Sequence, residues 1–547
     1  MNDKLYTIGV DYGTLSARAI VCRVSDGAVL SQCDHPYAHA VMTDCLPNGT
    51  RMPMGWSLQD PNDYLESLTI SVRGAVEKAG VPIESIRGIS IDFTTSTVMP
   101  VDENNKPLCN DPRFASRPDA WCKVWKHHGA QAEADALTAL FAEKDPELLL
   151  LTGGRVSPEC LPSKLLEVLH HDREVFDTMA RYMEAGDWVT SMMTGTTIRA
   201  LASMRNKAFY RDGIGLPPCL EEAYPELRGW ADTLMSGQKI DIAQKAGELC
   251  PEMAERLGLC PGIAVGVFEA DGHVALPGVG VSGDGAAMLS AGTSAALILC
   301  AKEMRPVHGA CTIGNNGILP GYWGYASGQA AFGDLLGWFV GHCVPPQTAE
   351  EAASRGISVH QLLTEKAAAM RPGSTGLLAI DWWNGDKSRG DMNVSGMFLG
   401  MTLQTTPEQM YRALLESLAF AVRRMIDAYE EQGILLSILH VGGGISYKNP
   451  LFMQIISDVT GKTLRCSAPL PAACVGSAMF AATAAGLYPT LDEAVAAMNC
   501  LGDVTYTPSP EATAQYLPLY KEYQTLSAYF SEENPVMHHL KSISRGE

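Results

Sequence analysis

The 547-residue chain is too long for a single hydrophobic core, so about two to four domains are expected. Its 46% apolar and 19% charged residues suit a folded enzyme and exclude intrinsic disorder. A formal charge of −20 argues against nucleic-acid or anionic-membrane partners, which need a Lys/Arg-rich face. It leaves room for a phosphorylated ligand held by a few amides and a cation.

Met1 to Tyr6 run straight into a strand pattern, with no basic n-region and no apolar h-region. No run of about 18 uninterrupted apolar residues follows, so a cytoplasmic chain without a membrane span is expected. The 15 cysteines are scattered from Cys22 to Cys500 with no Cys-x-x-Cys pair, and read as reduced, mostly buried thiols. On that reading the sequons at Asn48 and Asn393 stay unmodified.

Apolar β-branched runs alternate with amphipathic stretches, the pattern of an α/β protein. The first strand, Tyr6–Val10, ends in Val10-Asp11-Tyr12-Gly13-Thr14-Leu15-Ser16-Ala17-Arg18. Gly13 permits a tight turn, and Thr14 and Ser16 set hydroxyls beside exposed amides, a concave donor array for phosphate oxygens. A carboxylate at its mouth would repel phosphate, so Asp11 reads as a Mg²⁺-site residue acting through water. An ordinary hairpin turn with a routine aspartate fits the same residues. Ala19–Val24 and Ile86–Ile91 continue as strands, with helices expected over Pro61–Ala79 and Ser163–His170.

The apolar stretch Ile263–Val267 leads into Phe268-Glu269-Ala270-Asp271-Gly272-His273. Phosphorylating an alcohol needs a base beside the hydroxyl, and an aspartate at a strand end next to glycine suits that role. His273 competes for it, and a plain Asp-Gly turn is the alternative. Gly and Pro cluster over residues 274–285, where a domain boundary is expected. Gly278 to Gly283 matches the dinucleotide-binding string, but Pro277 precedes it and a strand pattern follows, so it is rejected.

Strand Ala286–Ser290 then meets Ala291-Gly292-Thr293-Ser294, an echo of the first turn. Two opposed Gly-Thr turns at matching places in two halves can clamp a triphosphate across a cleft. Strand Ala295–Cys300 follows, then a helix over Pro407–Glu430 with Thr405 or Thr406 as its cap. Leu435–Val441 opens onto Gly442-Gly443-Gly444, with Ser446, Asn449 and a helix over Pro450–Thr460 beyond. Three glycines let the backbone approach a flat ligand such as adenine, or simply let strand and helix pack. A helix over Cys474–Ala485 and partial helical periodicity over Tyr516–Leu526 complete the chain. There is no P-loop and no Gly-x-Ser-x-Gly elbow. Adjacent histidines at 127–128 and 538–539 diverge on a helix and read as packing or surface residues rather than metal ligands.

In order along nearly the whole chain, the Asp-x-Gly-Thr turn, the Gly-Thr-Ser turn, the Asp271 segment and the glycine triplet resemble the FGGY carbohydrate kinases. Longer runs bring it nearest to the ketopentose-phosphorylating members: Ile91-Asp92-Phe93-Thr94-Thr95-Ser96, Val124-Trp125-Lys126-His127-His128, Asn206-Lys207-Ala208, residues 328–334, Asp381-Trp382-Trp383-Asn384-Gly385 and residues 442–454. The resemblance implies two actin-like (ribonuclease H-like) α/β ATPase domains flanking a deep cleft, residues 1–278 for sugar and 279–547 for nucleotide. It implies ATP and Mg²⁺, and phosphorylation of the terminal hydroxyl of a ketopentose. L-ribulose comes first, ahead of D-ribulose, xylulose or ribitol. No nucleic acid or membrane partner is implied, and a homodimer is compatible with it.

On the same resemblance Asp271 is the general base and touches the sugar, and Asp11 sits near magnesium. Thr14, Ser16, Arg18, Gly292 and Thr293 surround the phosphates, and Gly443, Gly444 and Asn449 line the adenine side. Thr95, Ser96, Lys207 and Gln329 contact the sugar. One departure stands out: Ala326-Ser327-Gly328-Gln329 replaces a Glu-Ala-Gly-Gln run, and the missing carboxylate bears on which sugar is accepted. The rival reading is a non-enzymatic actin-like nucleotide switch. The short lead before Tyr6 leaves no helix-turn-helix for a sensor, and the tail after Leu501 no peptide-binding domain for a chaperone.

Overall fold

In the computed structural model, which describes residues 4–466, 470–499 and 504–545, two seven-stranded sheets follow one another along the chain. Cys500 and Leu501 fall outside the described residues. The first sheet opens with antiparallel strands β1 (Tyr6–Tyr12), β2 (Ser16–Arg23) and β3 (Val29–Pro36). Helix α1 (Pro61–Ala79) then crosses to β4 (Ile86–Phe93), parallel to β1. The rest of a four-stranded sheet, whose Leu58–Gln59 strand precedes α1, and several helices come next, among them α2 (Leu161–His171), β5 (Arg181–Glu184) and α3 (Leu201–Lys207). The chain returns with β6 (Ala264–Gly266), parallel to β4, and helix α4 (Asp271–Gly278).

The second sheet repeats the plan. Antiparallel β7 (Ala286–Ala291), β8 (Ala295–Ala301) and β9 (Trp323–Gln329) precede helix α5 (Pro407–Glu430) and the parallel strand β10 (Ile438–Gly442). Helix α6 (Pro450–Thr460), strand β11 (Thr463–Cys466) and helices α7 (Ala472–Ala484) and α8 (Pro510–Ala528) follow. The cores thus run β3-β2-β1-β4-β6 and β9-β8-β7-β10-β11, a duplicated topology.

Local chemistry sets the helix ends. Asp60 accepts from the Asn62 amide at 2.9 Å to start α1, which stops at Gly80 in the left-handed region (φ 62°). Thr406 is the cap of α5, but the bond that closes it is Gln409 Oε1 accepting from the Thr406 amide at 3.0 Å; the threonine hydroxyl is unpaired.

Strand β1 buries both faces. Ile8, Val10 and Tyr12 pack with α1, each fully buried aliphatic side chain contributing roughly 1.5–3 kcal/mol. The other face lies under α7, which follows the second sheet in sequence yet packs on the first. Thr7 Oγ1 donates to the Ala478 carbonyl at 2.9 Å, and a Cβ at Gly9 would come within 1.9 Å of the Cys474 carbonyl. Helix α7 also crosses α4 at contact distance: a Cβ at Gly278 or Gly476 would lie 1.9 Å from the carbonyl of Ala472 or Val274. A core of Ile20, Val274, Met288, Ile298, Val475 and Met479 fills the space between the sheets. The halves meet again further out: the Ile313 amide donates to the Leu151 carbonyl at 2.9 Å, and Asn206 Nδ2 to the Gly317 carbonyl at 2.9 Å.

Candidate active site

The two Gly-Thr segments are both hairpin turns. Tyr12 pairs with Ala17 and the Gly13 amide donates to the Ser16 carbonyl at 3.0 Å; Ala291 pairs with Ala295 and the Gly292 amide donates to the Ser294 carbonyl at 3.0 Å. The first turn is held from outside. Thr14 Oγ1 accepts from Trp125 Nε1 at 3.0 Å, the Thr14 carbonyl from Gln59 Nε2 at 2.7 Å, and the Gly13 carbonyl from the Tyr37 hydroxyl at 2.9 Å. Thr14 and Ser16 are half-buried. Arg18 is less central: its Nε pairs with Asp34 at the sheet edge, and its Nη1 stands 3.9 Å from Asp11.

The second turn carries an exposed Thr293, while the carbonyls of Gly292 and Thr293 accept from the amides of Gly333 and Phe332 at 3.0 Å each. The glycine triplet comes to the same place. Gly443 (φ 102°) sits where a Cβ would be 2.4 Å from the Ala291 carbonyl, so the loop after β10 and the turn after β7 form one glycine-lined surface. Gly444 opens a short helix there. Asn449 follows that short helix, and its side chain is engaged within the protein: its Oδ1 caps α6 by accepting from the Phe452 amide at 3.0 Å, and its Nδ2 donates to Thr364 Oγ1.

Asp271 begins α4, half-buried, with its carboxylate accepting from the Gly272 amide at 2.7 Å. Burial and the charge of Asp11 push its pKa up to about 6, against the Gly272 amide, His273 and Lys207, which hold it down. His273 is taken: it is buried, with Nδ1 3.1 Å from Glu269 Oε1, whereas Asp271 is only half-buried. Asp11 lies beside Asp92 in the parallel register of β1 and β4, with Tyr12 and Phe93 stacked at 4.6 Å on the opposite face. Burial followed by the Asp11 charge drives Asp92 well above the carboxylate range; Ser477 Oγ donates to its Oδ2 at 2.7 Å, while its Oδ1 has no fixed partner. Sequence alone gives Asp92 no role, because its pairing with Asp11 exists only once β1 and β4 align.

Of the residues expected to contact the sugar, Thr95 is the half-exposed member of the turn after β4; Ser96 is buried, with φ 61° and a hydroxyl that lacks a partner. Lys207 ends α3 and acts electrostatically on both Asp271 and Glu159. Glu159 is a further cleft residue that sequence reading missed. Burial would raise its pKa, but His128 (3.6 Å), Lys387, Lys207 and Lys164 hold it down at about 2. Lys387 reaches across from the second half and lies over Gly328. Gln329 is almost fully buried, its amide nitrogen bound to the Asp381 carboxylate, which also accepts from the Tyr523 hydroxyl of α8 at 2.5 Å.

Of the histidine pairs, His127 is buried against Glu167 (2.7 Å) and His538 pairs with Asp391 (2.7 Å), both packing roles. Among the described residues the one triad of metal-type donors is His39, Asp60 and Asp63, which does not include Asp11, and Asp60 Oδ1 there is spent capping α1. The described cysteines are free thiols. No helix among the described residues is long and apolar enough to cross a membrane.

Two ribonuclease H-like sheets, each with a Gly-Thr hairpin, and a raised aspartate at a helix start beside the first, define an actin-like phosphotransferase. Solved structures share the fold: xylulose kinase from Rhodospirillum rubrum (TM-score 0.78, 23% identity, 97% of this chain and 100% of that one) and gluconate kinase from Lactobacillus acidophilus (0.79, 16%, 96% and 98%). Residues 6–205 match the N-terminal domain, and residues 287–485 the C-terminal domain, of the FGGY family of carbohydrate kinases. The chain is 41% identical to a ribulokinase of Halalkalibacterium halodurans and 37% identical to one of Mycolicibacterium smegmatis, each over 98% of its length and 97% and 96% of theirs. The chain therefore belongs to the FGGY family of carbohydrate kinases, and is an ATP-dependent sugar kinase.

Proposed function

We propose that the chain transfers the γ-phosphoryl group of ATP to the terminal hydroxyl of L-ribulose, giving L-ribulose 5-phosphate and ADP. The observation that carries the reading is Asp271, poised at about 6 at the start of α4 beside Asp11 and Lys207. Asp271 takes the hydroxyl proton as the new O–P bond forms and the bond from phosphorus to the β-phosphate oxygen breaks. Thr14 and Ser16 face the phosphates from the first turn, and Gly292 and Thr293 from the second. Gly443 and Gly444 provide the flat face for adenine, with Asn449 fixing the following helix. Thr95 and Lys207 meet the sugar directly, while Ser96 and Gln329 act from buried positions.

Mg²⁺ fits the donor set: Asp11 at the mouth of the turn has the unpartnered Asp92 Oδ1 next to it, a pair of hard-oxygen donors, with Arg18 Nη1 3.9 Å from Asp11 and its Nε taken by Asp34. When bound, the ion neutralises phosphate oxygens; Asp11 and Asp92 would hold it. In this reading residues 1–278 are the sugar-side domain and 279–547 the nucleotide-side domain, and the enzyme is cytoplasmic.

Ala326 favours a second candidate substrate. It pairs with Ile298, whose Cδ1 packs against Gly272, so the wall next to Asp271 is apolar. An apolar wall releases the demand for one particular sugar hydroxyl, which opens the site to D-ribulose, xylulose or ribitol. Coupled ADP release from ATP-Mg²⁺ with L-ribulose, D-ribulose, D-xylulose, L-xylulose, ribitol and glycerol decides. L-ribulose is expected to give the highest kcat/KM; a tenfold preference for another sugar reassigns the substrate, and no sugar-dependent release removes the reading.

A further inference from the structure

The inserted region places a lysine ammonium where solvent does not reach. Lys164, on α2, is fully buried, and its Nζ donates to the carbonyls of Ser96 and, at 2.8 Å, Val124. Among the described residues no carboxylate pairs with it within 4.0 Å; Glu159 and Glu184 act on it from further away. Burying an ammonium carries a desolvation cost that carbonyls alone do not return, and a methionine of similar volume would serve packing better. A group retained against that cost needs another explanation, and its two acceptors supply one.

Ser96 sits at φ 61°, a left-handed backbone that is unfavourable for a non-glycine residue and persists only when its surroundings impose it. Both of its backbone groups are gripped. Lys164 takes the carbonyl, and Glu184, at the end of β5, accepts from the amide at 3.2 Å. The next residue is held too, its Thr97 carbonyl accepting from the Ala185 amide at 2.7 Å. The grip fixes the turn that presents Thr95 to the cleft. The second acceptor leads to the phosphates: Val124 precedes Trp125, whose Nε1 donates to Thr14 Oγ1 in the first Gly-Thr turn.

We propose that Lys164 and Glu184 are positioning residues, a buried clamp that holds the sugar-side turn 94–97 in its strained shape and ties it to the phosphate-side turn at Thr14. This rests on the functional reading in one respect, that Thr95 faces the sugar. The clamp touches no substrate atom; it sets the distance between acceptor hydroxyl and phosphoryl group, where a displacement of about 1 Å costs on the order of a hundredfold in rate.

The test uses the full-length enzyme. Lys164→Met is expected to raise the sugar KM at least tenfold and to lower kcat, while affinity for ADP, held by the second sheet's glycine turns, stays within about threefold. Glu184→Ala is expected to raise sugar KM as well, and Glu184→Gln, which keeps an acceptor for the Ser96 amide, to recover most of that loss. A purely structural role would lower melting temperature without splitting sugar KM from ADP affinity, and that result overturns the proposal. Hydrogen exchange over residues 94–97 of the unaltered enzyme covers a Lys164→Met chain that fails to fold. Slow exchange before sugar is added supports the clamp, and exchange as fast as an exposed loop refutes it. If the unaltered enzyme phosphorylates no sugar, the functional reading falls and exchange alone judges the clamp.

Discussion

Asp271 links catalysis to stability with opposite signs. Its folded pKa of about 6 stands above the ordinary carboxylate value near 3.9, so the folded chain binds its proton more tightly than the unfolded chain does. Stability from this group is therefore present below about pH 4 and is lost as pH rises through 6. In its proposed role as general base it must be unprotonated, so kcat/KM for the sugar is expected to fall about tenfold per pH unit below 6. Asp271→Asn removes the base and the buried charge together. Turnover should drop at least a thousandfold with ATP affinity kept, while stability at pH 7.5 rises by up to about 3 kcal/mol, at 1.36 kcal/mol per pKa unit. Melting curves of both proteins at pH 4 and 7.5 check the sign: a gain confined to the higher pH fits, and an equal gain at both pH values points to Asn packing instead. Asp92, Glu159 and Lys164 were not legible as residues with roles, since each depends on a neighbour that folding supplies. The identities of Gln329 and Asn449 were legible, but not the commitment of their side chains to Asp381 and to the start of α6.

At the scale of elements, the helices read from sequence kept their bounds where capping chemistry marks them. α1, α5 and α6 span the residues expected, each with proline at its first turn, and α1 and α6 close on left-handed Gly80 and Gly461. Strands β1, β2 and β4 extend past their apolar runs, because hairpin and parallel pairing continues into polar residues such as Asp11, Ser16 and Asp92. Helix α7 was recognisable as a helix, but its packing on the first sheet was not. The glycines that permit it lie in separate segments and meet only in three dimensions. Gly476→Ala tests that packing. The new methyl would sit 1.9 Å from the Val274 carbonyl, so α4 and α7 must separate, at a cost of about 3 kcal/mol or more. Because α4 starts at Asp271 and α7 carries Ser477 against Asp92, kcat is expected to fall at least tenfold in the fraction that remains folded. A lowered melting temperature with kcat unchanged would show that the crossing serves stability alone.

Across the whole molecule, the duplicated sheets were legible from two Gly-Thr turns at matching places, because each turn ends the first strand of its sheet. What joins the halves was not, since it is built from long-range contacts at two places: the α4–α7 crossing and a clasp further out. In the clasp, Asn206 donates to the Gly317 carbonyl and accepts from Thr312 Oγ1 at 3.1 Å, just before Lys207 of the sugar side. A kinase limits wasteful hydrolysis by keeping water from the phosphoryl group until the sugar is seated. A clasp that holds the cleft walls together near Lys207 serves that end. Asn206→Ala removes both bonds and leaves a buried carbonyl without its donor, which lowers stability by about 1–3 kcal/mol. ADP release without sugar is expected to rise about tenfold relative to sugar-driven turnover, and sugar KM to rise with it as Lys207 loses its anchor. Asn206→Asp keeps the acceptor for Thr312 but loses the donor to Gly317, and should fall between the two. If the ratio of sugar-independent to sugar-driven release stays at the unaltered value in both variants, the clasp is a brace for the fold, and water exclusion rests on the α4–α7 crossing.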